Sequence, residues 1–110
     1  MTREEFLEFC RSIPGASTDQ PFNEDFDSVV CRHTLNRKWF ALVMAHDGGY
    51  IVNLKCDPQE AELLRKLFNG VTPAYHMNKT HWNSVRLGAS DVPDEELRRM
   101  TINSFELTRK

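Results

Sequence analysis

The chain has 110 residues, 40% of them hydrophobic, which is enough for one compact domain with a single core and too few for two. Its 14 lysine and arginine residues against 16 aspartate and glutamate residues give a formal net charge of −2, so any site for a polyanion must be local. With no apolar run of membrane-spanning length and no signal peptide, we expect a cytoplasmic protein without membrane contact.

The first half of the chain predicts one helix, a connection and three strands. Thr2 and Glu5 have the spacing of a capping box, and apolar residues recur at helical intervals until a Pro-Gly pair ends the pattern. Residues 16–27 are polar and predict an ordered connection, which Phe22 and Phe26 anchor to the core. Three extended runs follow, separated by short turns that favour antiparallel hairpins. They are residues 28–34, 38–45 and 50–56.

The second half predicts two helices with strands between them. Asp57 as N-cap and Pro58 at the first helical position open a helix. Its apolar stripe is Leu63, Leu64, Leu67 and Phe68. Residues 82–87 alternate as a strand, and a Pro-Asp pair opens a last helix that runs to about Leu107. The order α-β-β-β-α-β-β-α predicts an α+β fold in two layers, an antiparallel sheet with helices on one face, over residues 1–110.

Alternation along the strands predicts which side chains turn away from the helices. In the second strand, Phe40, Leu42 and Met44 are expected to face the core. The expected second face of the sheet consists of Trp39, Ala41, Val43, Ile51, Asn53, Lys55, Trp82, Ser84 and Arg86. An open face of this kind could hold a nucleic-acid backbone by charge and stack bases on its rings, or receive a peptide. Ordinary solvated strand positions, half covered by loops, would give the same pattern.

Residues 73–85 are the most distinctive segment, with the sequence PAYHMNKTHWNSV. They combine a lysine suited to a phosphate or carboxylate, amides suited to paired hydrogen bonds and rings suited to stacking. The candidate binding residues of the segment are Tyr75, His76, Asn78, Lys79, Trp82 and Asn83. A purely structural alternative is that the amides cap their own backbone, the tryptophan seals the edge of the core and the histidines are satisfied internally.

No catalytic or metal-binding motif accompanies these residues. Cys10, Cys31 and Cys56 have no close pairs, which predicts free thiols in a reducing compartment. His76 and His81 are five residues apart but lack a third ligand at metal-binding spacing. Cys56 precedes a helix N-terminus, where the helix dipole can lower a thiol pKa. A structural role as a buried thiol at a strand end explains the cysteine at this position equally well. We therefore expect a protein that is not an enzyme and that has no cofactor and no metal site.

Several motifs together resemble the MmcQ/YjbR family of small bacterial proteins. They are KWFA at 38–41, NLKCDP at 53–58, PAYHMNK at 73–79, HWNSV at 81–85, VPDEEL at 92–97 and SFEL at 104–107. The resemblance covers nearly the whole chain and implies a single domain with a two-layer α+β fold like that of secretion chaperones. It also implies the family's label of predicted DNA-binding protein. Trp39 stands where methionine is frequent and Phe105 where tyrosine is common, and both departures preserve an apolar side chain.

Two functional hypotheses follow for a chain that we expect to be a monomer. The first is a non-enzymatic DNA-binding protein that uses a local basic and aromatic surface. Its candidate residues are Asn53, Lys55, Tyr75, His76, Asn78, Lys79, Trp82, Asn83 and Arg86. The alternative is a protein-interaction module that binds a peptide, or a second copy of itself, through the open face of the sheet. That alternative relies on Trp39, Val43 and Ile51 beside Trp82.

Overall fold

A computed structural model describes residues 1–25 and 27–110. In these residues three helices and six strands follow one another: α1 (Arg3–Ser12), β1 (Ala16–Asp19), β2 (Val29–His33), β3 (Trp39–His46), β4 (Gly49–Lys55), α2 (Pro58–Leu67), β5 (Val71–Pro73), β6 (Trp82–Arg86) and α3 (Asp94–Leu107). The strands form one sheet in the order β1-β2-β3-β4-β6-β5, and every neighbouring pair is antiparallel. The predicted α+β class is confirmed.

The helices begin where local signals predict them. At α1 the Thr2 hydroxyl accepts a hydrogen bond from the Glu5 amide (3.1 Å), and the Glu5 carboxylate accepts one from the Thr2 amide (2.9 Å). This reciprocal capping box satisfies two donors that the first helical turn would otherwise leave unpaired. At α2 the proline at the first helical position follows Asp57, whose side chain makes no capping hydrogen bond. The predicted positions of all three helices are confirmed.

All three helices pack on the same face of the sheet. A single core cluster contains residues of α1, α2 and α3 together with inward residues of every strand from β2 to β6. Its fully buried large side chains include Phe6 and Leu7 from α1 and Phe40 from β3. Burial of these side chains is the main source of stability in a domain of this size. The predicted arrangement, with helices on one face, is confirmed.

The prediction of a connection over residues 16–27 is wrong at its start. Residues 16–19 form β1, which pairs with β2 from Ala16 opposite His33 to Asp19 opposite Val30. The strand is short and polar, so its structure depends on the neighbouring strand rather than on its own propensity. Phe22 lies against the Trp39 ring, with 6.1 Å between centroids, on the second face of the sheet and not in the core. The core contact expected for residue 26 lies outside the described residues.

An extra residue in β3 makes the predicted facing of that strand wrong. Phe40 has no partner in β2, because the residues on either side of it pair with two consecutive residues of β2. Such a bulge shifts the alternation by one position. Ala41 and Val43 therefore join Phe40 in the core, and Leu42 and Met44 turn to the second face. The facing predicted for β4 and β6 is correct, since the core holds Val52, Leu54, Val85 and Leu87.

The second face of the sheet is less open than predicted. Leu42 is 7% exposed and Ile51 3% exposed, although both point away from the helices. Two segments cover parts of this face. Residues 20–25 contribute the phenylalanine ring that contacts the tryptophan of β3, and residues 74–81 are hydrogen-bonded to β4 and β6. A ligand on this side would therefore meet the covering segments before it meets the strands.

The apolar stripe predicted for α2 is narrower than expected. Leu64 is buried, but Leu63 is 54% exposed and Leu67 60% exposed. The helix packs over β5 and β6 at one edge of the sheet, so only a thin strip of its surface meets the core. Exposed single leucines of this kind are common on protein surfaces and need no functional explanation.

His33 is a buried histidine at the end of β2. Its ring stacks on Phe105 with 4.1 Å between centroids and meets the edge of Phe40 at 5.7 Å. Its Nε2 atom lies 2.8 Å from the Thr108 hydroxyl. Burial lowers the pKa of His33, the Phe105 carbonyl opposes that shift, and the positive charge of Arg109 reinforces it. The folded environment therefore favours the neutral form of the ring.

We expect His33 to make the protein less stable in mild acid. Its pKa is lower in the folded chain, so the unfolded chain binds more protons as the pH falls through the ordinary histidine value of 6.5. The free energy of unfolding should be highest above that pH and should fall below it, by at most about 1.4 kcal/mol per pH unit. Urea unfolding between about pH 7 and pH 5 should show this slope, and His33→Gln should flatten it. A His81→Gln control should keep the slope, whereas an equal slope in the His33→Gln protein would contradict the assignment.

Candidate functional site

The segment singled out by its sequence contains a loop that begins on the second face of the sheet and returns to β6 beside α2. We call residues 74–81, which connect β5 to β6, the β5–β6 loop. Asn53 of β4 and Ser84 of β6 are direct partners across the sheet, and both are buried. The Asn53 amide donates to the Tyr75 carbonyl (3.2 Å), and the Tyr75 amide donates to the Ser84 hydroxyl (2.9 Å). The Ser84 hydroxyl in turn donates to the Asn53 carbonyl oxygen. The sheet thus fixes the backbone of Tyr75 on both sides.

Arg65 of α2 holds the other end of the loop. Its Nε donates to the Asn83 carbonyl oxygen (2.7 Å), and its Nη2 donates to the backbone carbonyl of Lys79. The Asn83 amide donates to the Ala61 carbonyl of α2 (3.2 Å). Arg65 therefore links α2 to the loop and to β6. Asn83 faces the helices and is buried, so it cannot contact a ligand on the second face.

Two predicted binding residues also take part in the internal structure of the loop. The Asn78 side-chain oxygen accepts hydrogen bonds from the amides of Thr80 (2.8 Å) and His81 (3.2 Å). This is the local capping that asparagine makes in tight turns. The Lys79 ammonium donates to the Ala74 carbonyl (2.7 Å), which uses one of its three protons. Lys79 is exposed at the surface of the loop.

Three rings form a row at the surface, which we call the ring row: His46, Tyr75 and His76. The centroids of Tyr75 and His46 are 4.4 Å apart, and those of Tyr75 and His76 are 4.1 Å apart. Tyr75 is 42% exposed, and His76 is also exposed. His46 was not among the predicted site residues. It ends β3 and has the same facing as Leu42 and Met44, which is apparent only once the bulge is known.

The remaining predicted residues lie along the ladder between β4 and β6. Lys55 pairs with Trp82 at one end, and Arg86 pairs with Ile51 at the other. Four residues of strand separate these ends, which corresponds to about 13 Å. The Arg86 Nη1 donates to the His46 carbonyl at 2.7 Å. The predicted cations are therefore distributed along the face rather than gathered in one compact patch.

A cleft of about 470 Å³ lies beside Arg86 and His46. Its wall also contains Asp47 and Asp91. The backbone amides of Gly70 and Asn69 donate to the Asp91 carboxylate and lower its pKa, so this group stays ionised. Two carboxylates against one guanidinium make the cleft a poor place for a phosphate. A polyanion on this face would avoid the cleft side of the ring row.

Charge is segregated along the chain in a way that the net charge hides. Residues 71–89 contain no aspartate or glutamate but include Lys79, Arg86 and two histidines. Strands β3 and β4 also lack carboxylates, and β4 contributes Lys55. Apart from Asp47, all the acidic residues fall within 4–8, 19–27, 57–62 and 91–106, which are the helices, their flanks and the covering segment near β1. The β5–β6 loop and the strands beneath it are therefore the locally basic part of the molecule.

The buried thiols do not resemble catalytic groups. Burial raises the pKa of Cys56 to about 11, so the helix N-terminus beside it does not produce a reactive thiolate. Cys10 and Cys31 are buried as well. Across residues 1–25 and 27–110, no three histidine, cysteine or acidic side chains are grouped as metal ligands. None of the helices in these residues combines the length with the apolar composition that a membrane span requires.

The fold and this loop define a class: a two-layer α+β domain whose antiparallel sheet carries helices on one face and a side-chain-anchored loop on the other. The chain belongs to the YjbR family, because the sequence model of that family matches residues 11–107. The resemblance found in the sequence motifs is thereby confirmed.

Relatives and solved structures agree with this assignment. The chain is 34% identical to protein YyaQ of Bacillus subtilis (strain 168), over 99% of each chain. It is 33% identical to protein YjbR of Escherichia coli (strain K12), over 96% of this chain and 86% of the relative. A crystal structure from Pseudomonas syringae has a TM-score of 0.89 at 34% identity and covers 99% of this chain and all of the other. Protein DR2400 of Deinococcus radiodurans, titled as a DUF419 domain, has a TM-score of 0.85 at 28% identity over 99% of this chain and 79% of that one.

Proposed function

We propose that this chain is a non-enzymatic, monomeric DNA-binding protein of the cytoplasm that binds through the β5–β6 loop and the second face of the sheet. The observation that carries the proposal is the segregation of charge. Lys55 and Lys79 belong to a strand and a loop without carboxylates, and Arg86 lies at the far end of the same strand ladder, beside Asp47 and Asp91. A local positive surface of this kind attracts the phosphate backbone even when the net charge is negative.

The alternative of an apolar protein-binding face has less support. Val43, one of the residues that it requires, lies in the core, and Ile51 is almost fully buried. Trp39 is half-buried, with the Phe22 ring nearly perpendicular to its own and the Arg32 guanidinium over its face. Val43 and Ile51 therefore contribute almost no exposed apolar surface to a partner on the second face.

The first test is a titration of labelled duplex and single-stranded DNA by fluorescence anisotropy at low and moderate salt. Three cations can neutralise about three phosphates, so a log-log plot of the binding constant against salt should have a slope between about −2 and −3. The double variant Lys55→Ala, Lys79→Ala should bind about tenfold more weakly and should reduce the magnitude of the slope by about 2.

The matched control is Arg98→Ala, Lys110→Ala, which removes the same charge from exposed positions on α3, on the opposite face of the sheet, and at the chain end. It should leave affinity and slope within about twofold of the unmodified protein, because distant exposed charges are screened at moderate salt. Thermal unfolding of each variant checks that the fold is retained. No binding by the unmodified protein at either salt, or equal losses in the two double variants, would overturn the proposal.

A further inference from the structure

We infer that the ring row of His46, Tyr75 and His76 is a stacking platform for an unpaired base, so that single-stranded DNA is the preferred form of the ligand; this inference rests on the proposed function. The Tyr75 ring contacts both histidine rings, with its plane tilted by 47° to that of His46 and by 46° to that of His76, and Tyr75 is 42% exposed. Aromatic rings at a protein surface bind single strands by stacking on the faces of their bases. In a duplex those faces are covered by neighbouring base pairs, so only an unpaired or displaced base can reach the platform.

The platform is held in place before any ligand arrives. The backbone amide and carbonyl of Tyr75 are both bonded to side chains that are buried in the sheet, Ser84 and Asn53. The ring itself has no hydrogen bond in the described structure that would have to break on stacking. A surface aromatic on a fixed backbone loses little conformational freedom on binding, which favours affinity.

His76 completes the row from a strained backbone conformation. Its φ is +64°, in the left-handed region that few non-glycine residues adopt, although histidine tolerates it better than most. This conformation places the His76 ring 4.1 Å from that of Tyr75. Strained backbone conformations persist where the surrounding structure enforces them, and they are concentrated at functional sites. Here the observed geometry builds one edge of the platform.

The charges around the ring row favour one path for the backbone of the bound DNA. On one side lies the cleft with the carboxylates of Asp47 and Asp91, which repel phosphates. Within the β5–β6 loop itself lies Lys79, five residues after Ala74, to which its ammonium bonds. The backbone that flanks a stacked base should therefore follow the loop and avoid the cleft. The carboxylates on one side of the ring row and Lys79 in the loop would not direct an uncharged ligand along the loop. This distribution of charge therefore favours a polyanion.

The experiment compares three labelled ligands of equal length: a thymine homopolymer, a duplex and an abasic single strand with the same number of phosphates. The unmodified protein should bind the thymine strand more tightly than the other two. Tyr75→Ala should weaken binding to the thymine strand by about 5- to 100-fold, the range found for loss of one stacked base. The same variant should change binding to the abasic strand by less than about twofold. Tyr75→Phe should keep the affinity, because it keeps the ring.

A second variant distinguishes the effect of the His76 ring from that of its backbone conformation. His76→Asn removes the imidazole but keeps a residue that tolerates the left-handed conformation, and it should weaken binding to the thymine strand severalfold. Equal binding of thymine and abasic strands, or no effect of Tyr75→Ala on the thymine strand, would overturn the platform and leave DNA binding by charge intact. If the unmodified protein binds none of the three ligands, the proposed function fails, and the platform fails with it.

Discussion

Replacing Asn53 by leucine is expected to lower the free energy of unfolding by about 2 to 4 kcal/mol. Asn53 is fully buried, and its amide joins the Tyr75 carbonyl to the Ser84 hydroxyl. Leucine has the same branching but no polar atoms, so a carbonyl and a hydroxyl lose their partner in a water-poor environment. A buried polar group without a partner costs about 1 to 3 kcal/mol. Urea unfolding followed by circular dichroism measures the difference.

A double-mutant cycle tests whether the network acts as a unit. Ser84→Ala removes the hydroxyl that bonds to both Asn53 and the Tyr75 amide. The double variant should cost about 1 kcal/mol less than the sum of the two single variants, because removing either partner already breaks the bond between them. Strict additivity, or a loss below about 0.5 kcal/mol in Asn53→Leu, would show that the network contributes little to stability.

The same variant should also weaken binding to single-stranded DNA. The loss of the Asn53 amide frees the Tyr75 carbonyl, so the platform must be ordered when the ligand binds. Exchange of the Tyr75 amide hydrogen should be faster in Asn53→Leu than in the unmodified protein, which gives a local readout that is independent of DNA. Unchanged exchange together with weakened binding would indicate that the loop is held by other contacts.

The helices of this fold are readable from sequence because their determinants are local. The capping box of α1 spans only Thr2 to Glu5, and Pro58 sits at the first position of α2. β1 escaped prediction because a strand of sequence ASTD has little propensity of its own and takes its structure from β2, more than ten residues away. The bulge at Phe40 was not predicted for the same reason, because a bulge is defined by the pairing of two strands and not by one strand alone.

The candidate site was predicted in composition but not in geometry. Tyr75, His76 and Lys79 are exposed in the loop, as a recognition segment requires. Asn53 and Asn83 carry the same amide group but are buried on opposite faces of the sheet, one beneath the loop and the other toward the helices. Their side chains are directed inward by strand alternation together with partners distant in the chain. No spacing within residues 73–85 indicates that an arginine of α2 anchors the loop.

Replacing Arg65 by methionine is expected to lower the free energy of unfolding by about 1.5 to 3 kcal/mol, the range for hydrogen bonds to a charged group. Methionine keeps an apolar chain of similar length, so packing against the sheet is largely preserved. The variant removes the donors to the Asn83 side chain and to the Lys79 carbonyl, and it leaves a buried amide oxygen without its charged partner. Thermal or urea unfolding measures the loss.

Lys66→Met is the matched control, because it removes the same charge from the next residue of α2, which is exposed. It should change the free energy of unfolding by less than about 0.5 kcal/mol. Arg65→Lys should lie between the two, since an ammonium cannot reproduce the planar fork that reaches a side chain and a backbone carbonyl together. Weaker DNA binding in Arg65→Met but not in Lys66→Met would indicate that the anchor acts by ordering the loop and not by its charge. Equal stability of the two methionine variants would instead mean that Arg65 does not hold the loop in place.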